Sequence, residues 1–522
     1  MQEQRQRRKR VQTRIGKILF HRLGIVAVLI VAQLFLYVVG LVVLRDSAYF
    51  KWVEWLFLAL SILSAVWIVG SKSNPGYQIG WLIIVLGLMP FGSLAYLLLG
   101  GNHLSQFNQR RLRSMERKIR KNLGEECGRS ASLGELMGPD AAAMARYLEQ
   151  TTHCPVYGNT RTKYYPLGDV CYHDILEALH GARRYIFIEY FIIEEGKLWN
   201  SVLDILKEKV RQGVEVRVIY DDIGSISTLP SDYPLRLEKL GVHCRPFNRF
   251  VPVVSLRQNN RDHRKYMIVD GRVAFTGGIN MADEYINVKP RFGHWKDSAI
   301  RLEGDAVWSM TVSFLGMWDF THQEEEHFTP FRPEPARGGV QGYVQPYHDC
   351  PWDNEPVGQT VYLNLIYRAK KYVYITTPYL VIDYSLSMAL TTAAKSGVDV
   401  RIITPHIPDK KTVFEMTRAH YEKLLEAGVQ IFEYEPGFIH SKNFVVDGQF
   451  ATVGTVNLDY RSMFLHFENG VLLYGTPSVE DIRDDFLDTQ TRSLMVTLED
   501  CRSTSLPRRL LRDILRLFAP LL

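Results

Sequence analysis

Two histidine–lysine pairs stand in one spacing, written twice. His263, Lys265 and Asp270 form the pattern HxKxxxxD, and His440, Lys442 and Asp447 repeat it 177 residues later. In both copies a glycine follows the aspartate by seven residues (Gly277, Gly454), and an asparagine stands three further on (Asn280, Asn457). One such motif arises readily by chance; two copies matched out to the asparagine point to a duplicated site for phosphodiester chemistry. A neutral imidazole can attack phosphorus and become a covalent phospho-histidine, splitting one hard displacement into two easier ones. A second, protonated imidazole can donate to the leaving alkoxide and then take the proton of the incoming hydroxyl. Two lysines and two asparagines can hold the non-bridging oxygens where charge develops. This chemistry requires no metal and no other cofactor. The six cysteines (Cys127, Cys154, Cys171, Cys244, Cys350, Cys501) lack the spacing of a zinc site.

The elements that must position these groups can be read around them. The runs Lys265–Asp270 and Lys442–Asp447 are rich in β-branched and aromatic residues and predict strands. Residues i and i+2 of a strand share a face, which would send His and Lys of each copy the same way. Asp270-Gly271 and Asp447-Gly448 are hairpin signals, with return strands over Val273–Thr276 and Phe450–Val453. Upstream, Ala182–Glu189 parallels Ala369–Thr376, Gly213–Ile219 parallels Gly397–Ile403, and Gly241-Val242 parallels Gly428-Val429. Helical patterns at Leu198–Gln212 and Leu386–Ser396 lie between them, so each lobe reads as a largely parallel α/β sheet. The stretch Gln323–Gln341, rich in Pro, Gly and Glu, reads as the link between lobes.

The segments HRKYMIVDGRVAFTGGINMADEY and HSKNFVVDGQFATVGTVNLDYRSMFLHFE resemble the two motifs of the phospholipase D superfamily. The run GTVNLDYRS is similar to that of its bacterial cardiolipin synthase branch. The resemblance extends from near Asn74 to Leu522 and includes NPGYQIGWLIIVLGLMPFGSLAYLLLG and the terminal APLL. It implies an α/β fold of two duplicated phospholipase D-like lobes forming one cleft, with His263 as nucleophile and His440 as acid/base. It also implies a downstream carboxylate orienting each histidine. Asp297 in HWKD and Glu468 in FEN occupy the matching positions, each at a similar distance past the histidine of its own copy. A carboxylate on Nδ1 fixes the tautomer and stabilises the imidazolium. Thr455 stands where many relatives have serine, and it keeps the hydroxyl.

The first hundred residues differ in kind. A basic leader (1–22) precedes three apolar candidates for membrane spans, 23–44, 53–70 and 79–99, the last interrupted by Pro90. The long first run with no small-residue cleavage site reads as a retained anchor rather than a signal peptide. An α-helical transmembrane region (23–100) is therefore expected before the lobes, then a basic linker (101–141), a first lobe (142–335) and a second (336–522). Basic clusters flank the apolar region on both sides, at Arg5–Arg22 and Arg110–Lys121. Three full spans would part the two clusters. The charge pattern leans toward cytoplasmic lobes with one segment that does not fully cross. Asn248–Leu256, ahead of the first motif, is apolar for a loop and reads either as a lip for acyl chains or as a packed loop. Near the C-terminus, Leu510, Leu511, Ile514, Leu515 and Phe518 form one helical face, with Arg508, Arg509, Arg512 and Arg516 largely on the other. That pattern suits an interfacial helix or a terminal helix packed on its own lobe, with the balance toward packing.

The net charge of +6 suits an anionic partner. The expectation is a multi-pass enzyme of the cell membrane that transfers a phosphatidyl group from one phosphatidylglycerol to another, releasing glycerol through a phosphatidyl-histidine intermediate. Phosphodiesters balance across that reaction, so no nucleotide or other cofactor is expected. The expected partners are phosphatidylglycerol and cardiolipin in the membrane, with no nucleic acid. A phospholipase D-type hydrolase using water, or a membrane-tethered nuclease, would use the same core. Intact motifs in both copies count against a silent lipid-binding scaffold, and the apolar segments count against a nuclease.

Overall fold

The computed structural model describes residue 39 and residues 50–71, 73–87, 91–100, 106–124, 127–128, 130–250, 259–322, 326–336 and 338–521. They belong to two compact units, Met1–His103 with Arg249–Asn259, and Leu104–Asn248 with Asn260–Leu522. The expected span 23–44 lies outside the described residues apart from Val39, and so does most of the apolar loop Asn248–Leu256.

In the first unit three helices, Phe50–Val69, Pro75–Gly87 and Phe91–Leu99, contact one another. Ser61 and Ser93 share a buried hydroxyl hydrogen bond of 2.5 Å, and Trp81 meets Tyr96 edge-on at 5.3 Å. Gly92 permits the crossing of the second and third helices, because a methyl there would lie 2.0 Å from the carbonyl oxygen of Ile84. The expected span 79–99 is thus two helices on either side of Pro90, a residue that cannot continue a helix. Among the described residues no helix is long and apolar enough to cross a membrane. The expected transmembrane region therefore finds no crossing element there.

In the second unit the first lobe carries strands β1 (Thr160–Tyr165), β2 (Tyr185–Tyr190), β3 (Glu215–Asp221), β4 (His243–Phe247), β5 (Arg261–Asp262), β6 (Tyr266–Val269), β7 (Val273–Gly277), β8 (His294–Lys296) and β9 (Ala299–Gly304). The second carries β10 (Tyr343–Asp349), β11 (Tyr372–Thr376), β12 (Leu380–Val381), β13 (Asp399–Pro405), β14 (Gln430–Tyr434), β15 (Gly437–Ile439), β16 (Asn443–Val446), β17 (Phe450–Gly454), β18 (Leu458–Asp459), β19 (His466–Tyr474) and β20 (Ser493–Val496). The sheet orders match: β1-β9-β7-β6-β2-β3-β4 in one lobe and β10-β19-β17-β16-β11-β13-β14-β20 in the other.

The sheets are mixed, which corrects the largely parallel expectation. Along the two main sheet orders, β2-β3-β4 and β11-β13-β14 run parallel. Each motif hairpin adds an antiparallel pair beside them, β6-β7 on β2 and β16-β17 on β11. Helical crossovers build the parallel half, and the three-residue turns that open on Asp-Gly can only build an antiparallel one. At those turns Asp270, Gly271, Asp447 and Gly448 all have positive φ, as a turn matched to the strand twist requires.

Strands such as Tyr-Ile-Phe-Ile are apolar without alternation because both faces are covered. Ile186 and Ile188 pack outward under the helices Gly168–His180 and Lys197–Arg211, while Tyr185 and Phe187 face a central core. That core is shared: Phe187, Ile268 and Phe314 of the first lobe cluster with Val445, Val471 and Phe486 of the second. The basic stretch expected as a linker is largely packed structure. Helix Gln106–Leu123 buries Leu112, Met115, Ile119 and Leu123 in the central core, and Lys118 pairs with Asp319 at 2.5 Å. Helix Pro139–Thr151, whose greater part was expected in the first lobe, buries Met144 and Leu148 against second-lobe residues such as Leu365 and Tyr347.

Candidate active site

Each motif histidine sits at the end of a short strand paired with the other lobe, not on its hairpin. β5 pairs in parallel with the start of β19, and the His263 amide then donates to Phe467 O at 2.9 Å. β15 pairs in parallel with β8, and the His440 amide donates to Lys296 O at 2.7 Å. The acceptor residue in each case immediately precedes an orienting acid. The carboxylates therefore cross over. Nδ1 of His263 lies 3.0 Å from both oxygens of Glu468, and Nδ1 of His440 lies 2.6 Å from Oδ2 of Asp297. The expectation that each acid serves the histidine of its own copy is corrected by this exchange. With Nδ1–H donating to a carboxylate, the lone pair falls on Nε2, the nitrogen left to react.

The two acids are held differently. Glu468 also receives the Thr455 hydroxyl, whose oxygen accepts from the Asn469 amide at 2.9 Å. The equivalent position in the first copy is Gly278, where a methyl would lie 2.0 Å from Oδ1 of Asp297. Asp297 accepts instead from the Ser298 amide at 2.9 Å. The residues after the acids stitch the lobes together. Ser298 donates to Asn443 Oδ1 at 3.0 Å, the Lys265 amide donates to Asn469 Oδ1 at 3.1 Å, and Asn469 Nδ2 donates to Thr276 at 2.7 Å.

Both lysines are buried beside their histidines, and each ammonium donates to the carbonyl of the histidine two residues before it, Lys265 at 2.7 Å. Burial, followed by Lys265, Lys442 and His440, holds His263 well below the usual histidine range. Burial and Lys442 push His440 down to about 4, against the pull of Asp297. Burial brings Lys265 down to about 7 and Lys442 to about 8. Burial works to raise Asp297, yet His440 and Lys442 hold it below the ordinary aspartate value. Burial thus favours neutral imidazoles and brings both lysines near neutral pH, which suits acid–base work on an anionic substrate.

The asparagines sit nearby but are not alike. Asn280 accepts from the Ile192 amide at 3.1 Å and donates to the Tyr285 hydroxyl at 2.7 Å, and the Tyr285 ring meets His440 edge-on at 5.5 Å. Asn457 is buried with its Oδ1 lacking a hydrogen-bond partner. Asp270 and Asp447 are not brought to the histidines, which corrects their placement in the catalytic set. Asp270 accepts from the amides of Arg183, Arg184 and Tyr185 at 2.7–2.9 Å, and Asp447 from those of Lys370, Lys371 and Tyr372 at 2.7–2.8 Å. Each latches its hairpin turn to the loop that enters the neighbouring parallel strand.

Several groups were not anticipated. His466 lies buried with its ring 5.5 Å from that of His263, its Nδ1 3.6 Å from Glu468 and its Nε2 accepting from Arg461 at 3.4 Å. Its position two residues before Glu468 on a strand was the signal that could have found it. Under His263 run buried ion pairs, Arg261–Asp221 at 2.8 Å and Arg264–Glu189 at 2.5 Å. The second copy has Phe438, Ser441 and Thr376 at the positions of Arg261, Arg264 and Glu189. There Trp295 and Phe438 flank His440 at 5.7 and 5.9 Å. A charged Glu189 where the parallel run has Thr376 was the visible trace of this asymmetry.

Among the described residues one group, His263, His466 and Glu468, could offer a metal three ligand atoms within 4.8 Å of one another. Glu468 is already committed to His263 and Thr455, and two lysines crowd the same space with positive charge. The donor set suits a hydrogen-bonded chain better than a cation.

Comparison with known proteins places this geometry. A family described as "Cardiolipin synthase, PLD-like domain" matches residues 175–289 and 362–489, and one described as "Phospholipase_D-nuclease N-terminal" matches residues 59–101. An uncharacterized protein of Streptococcus mutans is 41% identical, covering 88% of this chain and 99% of its own length. A cardiolipin synthase of Geobacillus kaustophilus is 35% identical, covering 90% and 94%. The phosphatidylserine synthase of Haemophilus influenzae shares the fold at a TM-score of 0.55 and 14% identity, covering 72% of this chain and 98% of that one.

Proposed function

Because the chain belongs to the cardiolipin synthase family of the phospholipase D superfamily, we infer that its two histidines carry out a two-step phosphatidyl transfer between phosphatidylglycerol molecules. The chain is a phosphatidyl transferase of the cardiolipin synthase kind. In the first step Nε2 of His263 attacks phosphorus and the P–O bond to glycerol breaks. His440 supplies the proton with which glycerol leaves. In the second, His440 takes the proton of a hydroxyl on the next phosphatidylglycerol, whose oxygen displaces His263 and forms cardiolipin. Lys265, Lys442, Asn280 and Asn457 hold the non-bridging oxygens as charge builds.

The observation that carries this reading is the pair of buried, crossed histidine–carboxylate contacts, each with a lysine at its side. Glu468 stabilises the imidazolium character that grows on His263 during attack. Asp297 accepts from Nδ1 of His440 and stabilises the imidazolium that passes its Nε2 proton to glycerol.

The N-terminal unit anchors the enzyme in the cell membrane as a multi-pass region. What supports this is the surface of helix Phe50–Val69, where Trp55, Leu56, Leu63, Val66 and Trp67 are all exposed, an apolar face of the kind that meets a membrane. The test of the activity is direct. Purified protein treated with EDTA and given labelled phosphatidylglycerol should yield cardiolipin and glycerol without CTP or a CDP-linked lipid. Phosphatidate as the main product would make it a hydrolase, and a requirement for CDP-diacylglycerol would reject the scheme.

A further inference from the structure

The helix Leu506–Phe518 is packed with its two faces reversed. A helix lying on a soluble protein turns its apolar stripe inward and its charges to water. Here the arginines turn toward the body of the second lobe. Arg512 is buried and pairs with Glu415 at 2.9 Å, Arg509 pairs with Glu422 at 2.8 Å, and Arg508 also reaches Glu415. At the trailing end Leu515, with Ala519 just past the helix, packs with Val381 and Met416. The leucine face is left outside: Leu506 is 80% exposed, Leu510 62%, and Leu511 and Ile514 47% each, with Leu517 beside them at 41%.

The rim of this face says what covers it. Arg508, Arg509 and Arg516 keep about half of their side chains exposed, at 48, 45 and 50%. Leucines with arginines along the edge match an anionic lipid surface, where acyl chains take the apolar residues and headgroup phosphates take the guanidiniums. The helix also stands close to the chemistry in the chain. It packs on Val381, whose strand partner Asp459 follows Asn457 by two residues.

We propose that helix Leu506–Phe518 lies in the headgroup layer of an anionic bilayer, its leucine face inserted, as a membrane contact of the catalytic unit separate from the N-terminal helices. This goes beyond the transferase reading, and its test reads depth rather than turnover, so either can fail alone.

The experiment uses the full-length chain with Cys127→Ser, reconstituted in nanodiscs of phosphatidylglycerol with phosphatidylcholine, or of phosphatidylcholine alone. A nitroxide is attached at Leu510→Cys or Ile514→Cys, with Asp204→Cys on an exposed first-lobe helix as the reference. In the anionic disc, labels at 510 and 514 should relax strongly with oxygen and weakly with a water-soluble nickel chelate, and the one at 204 should do the reverse. Water-like accessibility at 510 and 514 would overturn the proposal. Low accessibility to both reagents would overturn it in favour of a protein partner such as a second copy. Equal insertion in the zwitterionic disc would overturn the anionic assignment.

Discussion

Glu468 of the second lobe holds His263 of the first, with both carboxylate oxygens 3.0 Å from Nδ1. Asp297 returns the relation with His440 at 2.6 Å. Neither lobe holds its own motif histidine with its own orienting acid. The reactive nitrogen of each is tuned by a carboxylate that arrives only when the lobes dock, and the hydrogen bonds from the two histidine amides to the Phe467 and Lys296 carbonyls set that docking in register.

With His263 as the proposed nucleophile and His440 as the proposed acid/base, the crossing gives each acid its own half-reaction. Glu468→Gln should slow formation of the phosphatidyl-enzyme about 10²–10⁴-fold with every donor, since it serves the nucleophile. Asp297→Asn should cost a similar factor with phosphatidylglycerol but much less with a donor bearing a nitrophenol leaving group, which needs little protonation. Rapid-quench kinetics with both donors reads this. Rescue of Glu468→Gln and not of Asp297→Asn would assign the acids the other way. Gly278→Ala should resemble Asp297→Asn, because its methyl meets the Asp297 carboxylate.

The covalent intermediate should be found on His263. With a short-chain nitrophenyl donor and acid quench, mass spectrometry should show a phosphatidyl adduct on His263 in the parent and in His440→Ala, and none in His263→Ala. An adduct on His440 in His263→Ala would reverse the roles.

The lysines set the alkaline limb. Burial lowers Lys265 to about 7 and Lys442 to about 8, so both lose their charge as pH rises through that range. A neutral lysine does not hold a phosphodiester oxygen. In the free enzyme kcat/KM should therefore fall with rising pH above about 7–8. Lys442→Arg keeps its charge throughout and should move that limb upward even while lowering the maximum. An unchanged limb in both Lys442→Arg and Lys265→Arg would assign it to other groups.

Asp270 and Asp447 should prove structural. Asp447→Ala removes a carboxylate that accepts three backbone N–H bonds and should cost about 2–4 kcal/mol of stability. Thermal unfolding should show a clear drop in Tm, while kcat per folded molecule stays within a few-fold. A loss of turnover beyond about 100-fold in well-folded protein would return the residue to the chemistry.

How much of this was legible in the chain depends on the range over which each feature acts. The paired HxKxxxxD motifs, their hairpins and the repeat of the two lobes are local. Asp-Gly turns demand positive φ at both residues, and the strand runs carry their own β-branched signature, so residues 270–271 and 447–448 announced themselves. The family resemblance pointed to Asp297 and Glu468 but paired each with the histidine of its own copy, whereas each bonds to the histidine of the other. Spacing along a chain cannot say which of two similar lobes a strand will join, and β5 and β15 each join the other one. The role of the motif aspartates was hidden for the same reason, since their partners are amides 75 to 87 residues away in sequence. The sheets turned out mixed because hairpin and crossover segments lie side by side only after folding. The C-terminal helix makes the contrast plainest. Its sequence determined that leucines and arginines would occupy opposite faces; only the acidic Glu415 and Glu422 waiting on the lobe surface decided that the arginines would turn inward and the leucines out.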